Sequence, residues 1–180
     1  HLRAQVMQIY NQTKSYLKNP QPVSDNLLYG EFHENSKHTT RMPYMKPVYD
    51  VLEKNRGKVI YFDFWARWCP PCLAEMEPLK QLRSKFSTDD LIIYSICVSE
   101  PKEQWEECLN EYSLKNRGIE CVHVTDYLGI DNYQKIRKQW KIDRMPYYIL
   151  INRQGQIIDF GTAARPSNPQ LVSRIEEAVK

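Results

Sequence analysis

From Gly57 onward, short apolar runs alternate with amphipathic segments. Five runs rich in Val, Ile, Tyr and Phe have the length and composition of buried strands, and they cover residues 58–65, 91–98, 120–124, 147–151 and 156–160. Segments with apolar residues at helical spacing predict helices at about 70–87, 101–114, 131–140 and 169–179. Alternating strands and helices, followed by a hairpin that turns at Gly155 and a last helix, predict an α/β fold with a mixed central sheet flanked by helices.

The N-terminal part of the chain has a different pattern. Residues 2–18 carry apolar side chains on one helical face, and the prolines that follow would stop this helix. Residues 19–47 show no periodicity and are interpreted as irregular. The predicted organisation is therefore an N-terminal helix and irregular extension at residues 1–56, followed by one domain at residues 57–180. We expect the extension to pack on this domain or to join it to a further N-terminal segment.

Composition and charge narrow the class of protein. Hydrophobic residues make up 42% of the 180 residues and charged residues 26%, as in ordinary globular proteins. The net charge of +3 comes entirely from residues 1–56, which is too weak for a nucleic-acid footprint. No apolar run is long enough to span a membrane. The chain begins at His1 without a charged and apolar leader, so we expect a signal peptide to have been removed or the chain to be a fragment.

The five residues Trp68-Cys69-Pro70-Pro71-Cys72 join the first predicted strand to the first predicted helix. A Cys-x-x-Cys pair at such a junction is the layout of a thiol-disulfide redox centre. A structural zinc site is the alternative, but it needs four ligands, and Cys121 with His123 would add only two. We therefore expect neither a metal nor another cofactor. Of the remaining cysteines, Cys97 and Cys108 are expected to pack in the core, and the role of Cys121 stays open.

The position of each cysteine predicts its role. Cys69 at the helix start would be the nucleophile, because unpaired amides and the helix dipole there stabilise a thiolate. Pro70 and Pro71 suit the first helical turn, where a missing N–H costs little. Cys72 lies one turn deeper on the same face and would be the more buried, resolving thiol.

The run from Phe62 to Cys72 strongly resembles the thioredoxin superfamily, and Leu73-Ala74-Glu75-Met76 resembles its TlpA and ResA branch. The resemblance covers residues 57–180 and is supported far downstream by Met145-Pro146 and the strand that follows. It implies a thioredoxin-like fold in which a cis-proline at position 146 faces the cysteines. The chain departs from this group at the helix proline, which falls at Pro78, one residue late, so we expect a displaced kink.

The resemblance also implies the remaining site residues. Asp63 stands at the place of the buried thioredoxin aspartate and Glu75 at that of the ResA-branch glutamate, and either could take the proton of Cys72. Substrate contacts are expected at Trp68, which should be exposed, and at Pro70, Pro71, Met145 and Pro146. Met145, in place of the commoner Thr, Ile or Val, would offer its backbone to an extended substrate segment. Trp65 either flanks the site or packs in the core.

These residues predict a thiol-disulfide oxidoreductase that reduces protein disulfides outside the cytoplasm, in the periplasm or cell envelope. Its expected partners are disulfide-bearing proteins and a membrane thiol-disulfide electron donor, and not nucleic acid. Two alternatives remain open: a disulfide oxidant or isomerase with a DsbA-like role, and a redox-inactive thioredoxin-like binding module. The reduction potential separates donor from acceptor.

Overall fold

A computed structural model of the chain describes residues 43–99 and 101–180. A five-stranded sheet has the strand order β3-β2-β1-β4-β5. Its strands are β1 (Val59–Trp65), β2 (Leu91–Cys97), β3 (Glu120–His123), β4 (Tyr147–Ile151) and β5 (Ile157–Gly161). The β1–β2 and β2–β3 pairs are parallel, whereas β1–β4 and β4–β5 are antiparallel. The mixed sheet predicted from the sequence is confirmed.

Seven helices accompany the sheet within the described residues: α1 (Lys46–Lys54), α2 (Pro70–Ala74), α3 (Met76–Lys85), α4 (Lys102–Glu111), α5 (Val124–Tyr127), α6 (Ile130–Gln139) and α7 (Pro169–Ala178). The predicted third strand ends one residue early, because Val124 already begins α5. The predicted helix over residues 2–18 lies outside the described residues.

The irregular interpretation is wrong at its C-terminal end, because residues 43–47 are helical. A 3₁₀ turn at Pro43–Met45 leads into α1. Pro47 is compatible with this helix because it occupies the first turn, where no intrahelical N–H bond is lost. Val48 and Val51 lie on its buried face. The division of the chain at residue 57 stays a prediction, although α1 contributes to the same core as the sheet.

The single helix predicted over residues 70–87 consists of two helices that meet at Glu75. Pro78 explains the break, because it has no N–H to donate to the carbonyl of Ala74 and its ring would clash with that carbonyl. The predicted kink is therefore confirmed, and it places Glu75 at the junction of α2 and α3.

Two hydrophobic clusters cover the two faces of the sheet. The front face carries Cys69 and Cys72 and packs against α2, α3, α4 and α7. The back face packs against α1, α5 and α6. Alternate residues of β1 supply both clusters, as the pleat of a strand requires: Tyr61 and Trp65 lie on the front face, and Phe62 and Phe64 on the back face.

Arg153 holds the end of the sheet that is remote from the cysteines. It lies in the predicted hairpin turn between β4 and β5, where Gly155 has a φ of 76°. Its guanidinium donates to the carbonyl of Gly57 at 2.9 Å, to Asp90 Oδ1 at 2.7 Å and to the carbonyl of Val179 at 2.5 Å. One side chain thus joins the segments that precede β1 and β2 to the end of α7.

Candidate active site

A disulfide joins Cys69 and Cys72 where β1 passes into α2. Cys69 is the N-cap residue of α2, with Pro70 and Pro71 at the first helical positions. The backbone N–H of Cys72 donates to Cys69 Sγ at 3.3 Å. A donor aimed at this sulfur would stabilise its thiolate, because hydrogen bonding to the charged form lowers the pKa of a group.

The surface around the disulfide is shaped by Trp68. Its side chain is 69% exposed, as expected, whereas Cys69 is 4% exposed and Cys72 is 1% exposed. Trp65, in contrast, is fully buried in the front-face core, so the core interpretation of this residue is correct. A sulfur atom of another molecule that approached the disulfide would therefore reach the small exposed part of Cys69, next to the exposed indole of Trp68.

The turn that carries Cys69 is braced by the end of β2. The backbone N–H of Arg67 donates to Ser99 Oγ at 3.1 Å. His123 Nε2 donates to the carbonyl of Ser99 at 2.7 Å, and its Nδ1 bonds to Thr125. This network fixes the loop before Cys69, and it could not be predicted from local patterns because its members come from three separate strand ends.

Met145-Pro146 forms a cis peptide bond, as the resemblance implies. It directly precedes β4, which runs antiparallel to β1 with Tyr147 opposite Phe64. The start of β4 and the end of β1 consequently lie at the same end of the sheet, where the chain turns toward Cys69.

Asp63 lies in the middle of β1 and is only 4% exposed. Ser95 Oγ, on the neighbouring strand, donates to its Oδ2 at 3.0 Å. Burial raises the pKa of Asp63 to about 7; the Ser95 bond works against this shift, and the charge of Glu75 adds to it. Near neutral pH this carboxyl can therefore both accept and release a proton.

Glu75 occupies the junction of α2 and α3 and is half-buried. Its two carboxylate oxygens accept bonds from the Ser167 N–H at 2.8 Å and from Ser167 Oγ at 2.6 Å. The structure thus brings both predicted acids to the front face, with Asp63 deep and Glu75 near the surface. Ser167 was not predicted, because it approaches Glu75 from the loop before α7.

Two stacked tyrosines share this face with the acids. Tyr61 and Tyr148 have ring centroids 5.7 Å apart and are both fully buried. The Tyr61 hydroxyl donates to the carbonyl of Ala164 at 2.7 Å. The Tyr148 hydroxyl has no hydrogen-bond partner in the described part of the chain.

The three other cysteines are free thiols. Cys97 and Cys108 are buried in the front-face cluster, which confirms the expected core packing. Burial raises the pKa of both thiols and raises that of Cys121 to about 12. All three therefore remain protonated near neutral pH and are poor nucleophiles.

An open cleft of about 420 Å³ borders Trp68 on the side of α4. Its lining includes Arg67, Leu73, Gln104 and Tyr112. Arg67 also forms an ion pair with Glu107 at 3.8 Å. The cleft extends the surface next to the disulfide with both apolar and charged groups.

Neither a metal cluster nor a membrane-spanning helix is found in residues 43–99 and 101–180. No three His, Cys, Asp or Glu side chains there are grouped to hold a metal ion. His123 follows Cys121 on β3, and both of its ring nitrogens are engaged in hydrogen bonds. The helices of this part are too short or too polar to cross a bilayer.

Comparison with known proteins places this geometry among redox proteins. A family model described as Redoxin matches residues 46–179. A thiol-disulfide oxidoreductase ResA of Bacillus thuringiensis is 26% identical over 108 residues, which is 60% of this chain. The match spans 57% of the length of that relative.

Two solved structures from Bacteroides vulgatus are similar in fold. The solution structure of a protein provisionally described as a thiol-disulfide oxidoreductase is 33% identical, with a TM-score of 0.56, over 70% of this chain and 76% of that one. The crystal structure of the thioredoxin domain of a thiol-disulfide oxidoreductase is 22% identical, with a TM-score of 0.60, over 72% and 84%. The predicted thioredoxin-like fold is confirmed.

Proposed function

We propose, from the premise that this chain belongs to the Redoxin family, that it is a thiol-disulfide oxidoreductase that reduces protein disulfides. The observation that carries the proposal is the Cys69–Cys72 disulfide at the start of α2, with the Cys72 N–H directed at Cys69 Sγ. The three free thiols are protonated near neutral pH, because burial of each sulfur raises its pKa, so the exchange chemistry is assigned to this pair.

The reaction proceeds in two exchanges. The Cys69 thiolate attacks one sulfur of the substrate disulfide, forms a mixed disulfide and releases the other substrate sulfur as a thiolate. Cys72 then loses its proton and attacks Cys69 Sγ, which releases the second substrate sulfur and closes the Cys69–Cys72 disulfide. Two electrons pass from the protein to the substrate, and an external dithiol must restore the reduced pair.

The substrate segment is assigned to the surface between the turn that carries Cys69 and the Met145-Pro146 turn. Trp68 supplies an exposed apolar contact, and Pro70 and Pro71 keep the loop beside Cys69 rigid. The backbone at Met145 and Pro146 lies at the end of the sheet where β1 leads to Cys69. It would pair with an extended segment, as in strand addition. The cleft beside Trp68 gives room for a side chain of the substrate.

Asp63 and Glu75 are assigned to the proton of Cys72. The raised pKa of Asp63, about 7, suits a group that accepts a proton in one step and returns it in another. Glu75 is half-buried and anchored by Ser167, so it connects the front face with solvent.

The proposed location is the periplasm or cell envelope, with electrons supplied by a membrane thiol-disulfide protein. The motif from Leu73 to Met76, which resembles the TlpA and ResA branch, supports this assignment. The ResA relative of Bacillus thuringiensis, which is itself named a thiol-disulfide oxidoreductase, supports the exchange chemistry that this assignment presupposes.

Trapping tests the chemistry. A Cys72→Ser variant with a disulfide-bearing model protein should accumulate a mixed disulfide through Cys69, because the second exchange is blocked. A matched Cys69→Ser variant should accumulate far less, since Cys72 is less exposed. Equal trapping by both variants, or trapping by neither, would contradict the assigned roles.

The direction of exchange is tested by equilibration with dithiol buffers, followed by Trp fluorescence. A reduction potential below about −200 mV supports a reductant, because thioredoxin lies near −270 mV. A value near −120 mV, as in a strong oxidant, would favour the DsbA-like alternative.

A further inference from the structure

We infer that Tyr148 is a positioning residue whose hydroxyl links Asp63 to Glu75, so that the two acids form one proton path between Cys72 and solvent. The inference rests on the proposed function, because it assumes that Cys72 must lose a proton during exchange. Asp63 and Glu75 would then act in sequence, one as the inner acceptor and the other as the outlet.

The first observation is the position of Tyr148 in the sheet. It pairs with Asp63 across the β1–β4 ladder, and its ring packs in the front-face cluster that contains Cys72. It is the second residue of β4 and follows the cis-proline by two positions. Tyr148 and Asp63 therefore project from the same face of the sheet on neighbouring strands.

The second observation is that the hydroxyl of Tyr148 is buried without a hydrogen-bond partner in the described residues. Tyr148 is 0% exposed, yet its hydroxyl has no partner among the side chains and backbone groups of the described residues. A buried hydroxyl without a partner is costly, so such groups are usually satisfied by bound water or serve a function. The neighbouring Tyr61 differs, because its hydroxyl is committed to the carbonyl of Ala164.

The third observation is the set of charges around Tyr148. After burial, the charges of Asp63 and then Glu75 raise the pKa of Tyr148, while Arg165 lowers it. The pKa of Tyr61 is raised by burial, then by Tyr148, and then by the charges of the same two carboxylates and of Asp159 on β5. After burial, the charge of Asp63 also contributes to the raised pKa of Cys97 on β2 and of Cys121 on β3. Among the carboxylates of the described residues, only Asp63 and Glu75 raise the pKa of both tyrosines, and the charge of Glu75 also raises the pKa of Asp63.

The proton transfers balance along this path. Asp63 takes the proton of Cys72 and becomes a neutral acid, while Cys72 becomes the thiolate that attacks Cys69 Sγ. Asp63 then passes its proton to Tyr148 Oη through a bridging water, and Tyr148 gives its own hydroxyl proton toward Glu75. Glu75 releases one proton to solvent, so both carboxylates and the phenol return to their starting forms.

A Tyr148→Phe variant tests the link, because it removes one hydroxyl and keeps the ring stacked on Tyr61. The ionisation of Asp63 is followed in the disulfide form by carboxyl ¹³C NMR between pH 4 and 9. Loss of the water-bridged link to the ionised carboxylate should raise the Asp63 midpoint by about half a unit to one unit, which corresponds to one net hydrogen bond. The rate of the second exchange at pH 7 should fall about three- to tenfold for the same reason.

Tyr61→Phe is the matched control, because it removes the neighbouring buried hydroxyl and with it the bond to Ala164. It should lower thermal stability and leave both the Asp63 midpoint and the pH profile of the second exchange unchanged. An Asp63 midpoint and a pH–rate profile that coincide in Tyr148→Phe and the parent would overturn the inference. Equal shifts in both Phe variants would overturn it too, because they would indicate a general packing effect.

The failure of this inference can be distinguished from the failure of the proposed function. If Cys72→Ser traps no mixed disulfide, the exchange chemistry fails, whereas the NMR titration of Asp63 still decides whether Tyr148 is linked to it. If trapping succeeds and the Asp63 midpoint is unmoved by Tyr148→Phe, only the link through Tyr148 is lost.

Discussion

Asp63 is expected to destabilise the fold when its carboxylate is ionised. An ionised carboxylate in the middle of a buried strand loses its hydration, and the single bond from Ser95 replaces only part of it. The rise of the Asp63 pKa to about 7 expresses this cost. A residue retained in this position is expected to trade stability for reactivity.

Asp63→Asn should therefore stabilise the disulfide form at pH 8. Well below pH 3.8 the carboxyl is protonated in both the folded and the unfolded chain. As the pH rises from the usual 3.8 to about 7, the unfolded chain gives up this proton first, so the free energy of unfolding of the parent falls. A shift of about 3 units corresponds to a gain on the order of 4 kcal/mol for the variant, measured by urea unfolding at pH 4 and pH 8.

Asp89→Asn is the matched control, because Asp89 is an exposed carboxylate at the end of the loop before β2. It should change stability little at either pH. A stability difference between Asp63→Asn and the parent that is the same at pH 4 and pH 8 would show that the buried charge is not its cause.

Residues with intrinsic chemistry could be proposed as site residues from the sequence, whereas residues that the fold places beside them could not. Cys69, Cys72 and the two acids stand out in a motif of adjacent positions. Ser167 and Tyr148 do not, because each meets its acid only after a distant strand or loop has been placed beside it. One local sign was available for Tyr61, which shares a strand face with Asp63 two positions away.

At the scale of elements, α1 shows where sequence patterns were insufficient. The strands and the later helices other than α5 were predicted because their apolar runs and turn residues are clear. Helix α1 was not, because Pro43 and Pro47 suggested an irregular segment and its buried face has few members. Its apolar residues complete the back-face cluster, and the Redoxin match begins at its first residue.

Val48→Ala should lower the free energy of unfolding by about 2 kcal/mol, because it removes two methyl groups from a fully buried position and leaves a cavity. Lys54→Ala in the exposed last turn of the same helix is the control and should have little effect. Urea unfolding measures both. If Val48→Ala were neutral, α1 would belong to a separate N-terminal extension, as the division at residue 57 predicts.

At the scale of the whole molecule, Arg153 fastens the end of the domain opposite the redox pair. Its three acceptors come from the start of β1, the loop before β2 and the end of α7. These segments are far apart in the sequence, so their joint attachment could not be predicted from local patterns. Because the attachment is remote from Cys69, stability and activity should separate here.

Arg153→Met retains most of the side-chain stem and removes the charged donors. We expect Tm to fall by about 2–6 °C, as loss of these bonds should cost a domain of this size. The reduction potential and the rate of exchange should stay at the parental values. Thermal unfolding and dithiol equilibration measure the two properties, and a shifted potential would show that the remote end is coupled to the site.

The division of the core into two faces has a consequence for engineering. The sheet separates the back-face packing of α1 and α6 from the front-face packing around Cys69. Substitutions far apart and without shared partners usually have additive effects on stability. Repacking the back face should therefore stabilise the domain without changing the surroundings of Cys69. The Trp68 cleft could then be altered in this more stable scaffold while the redox pair is kept.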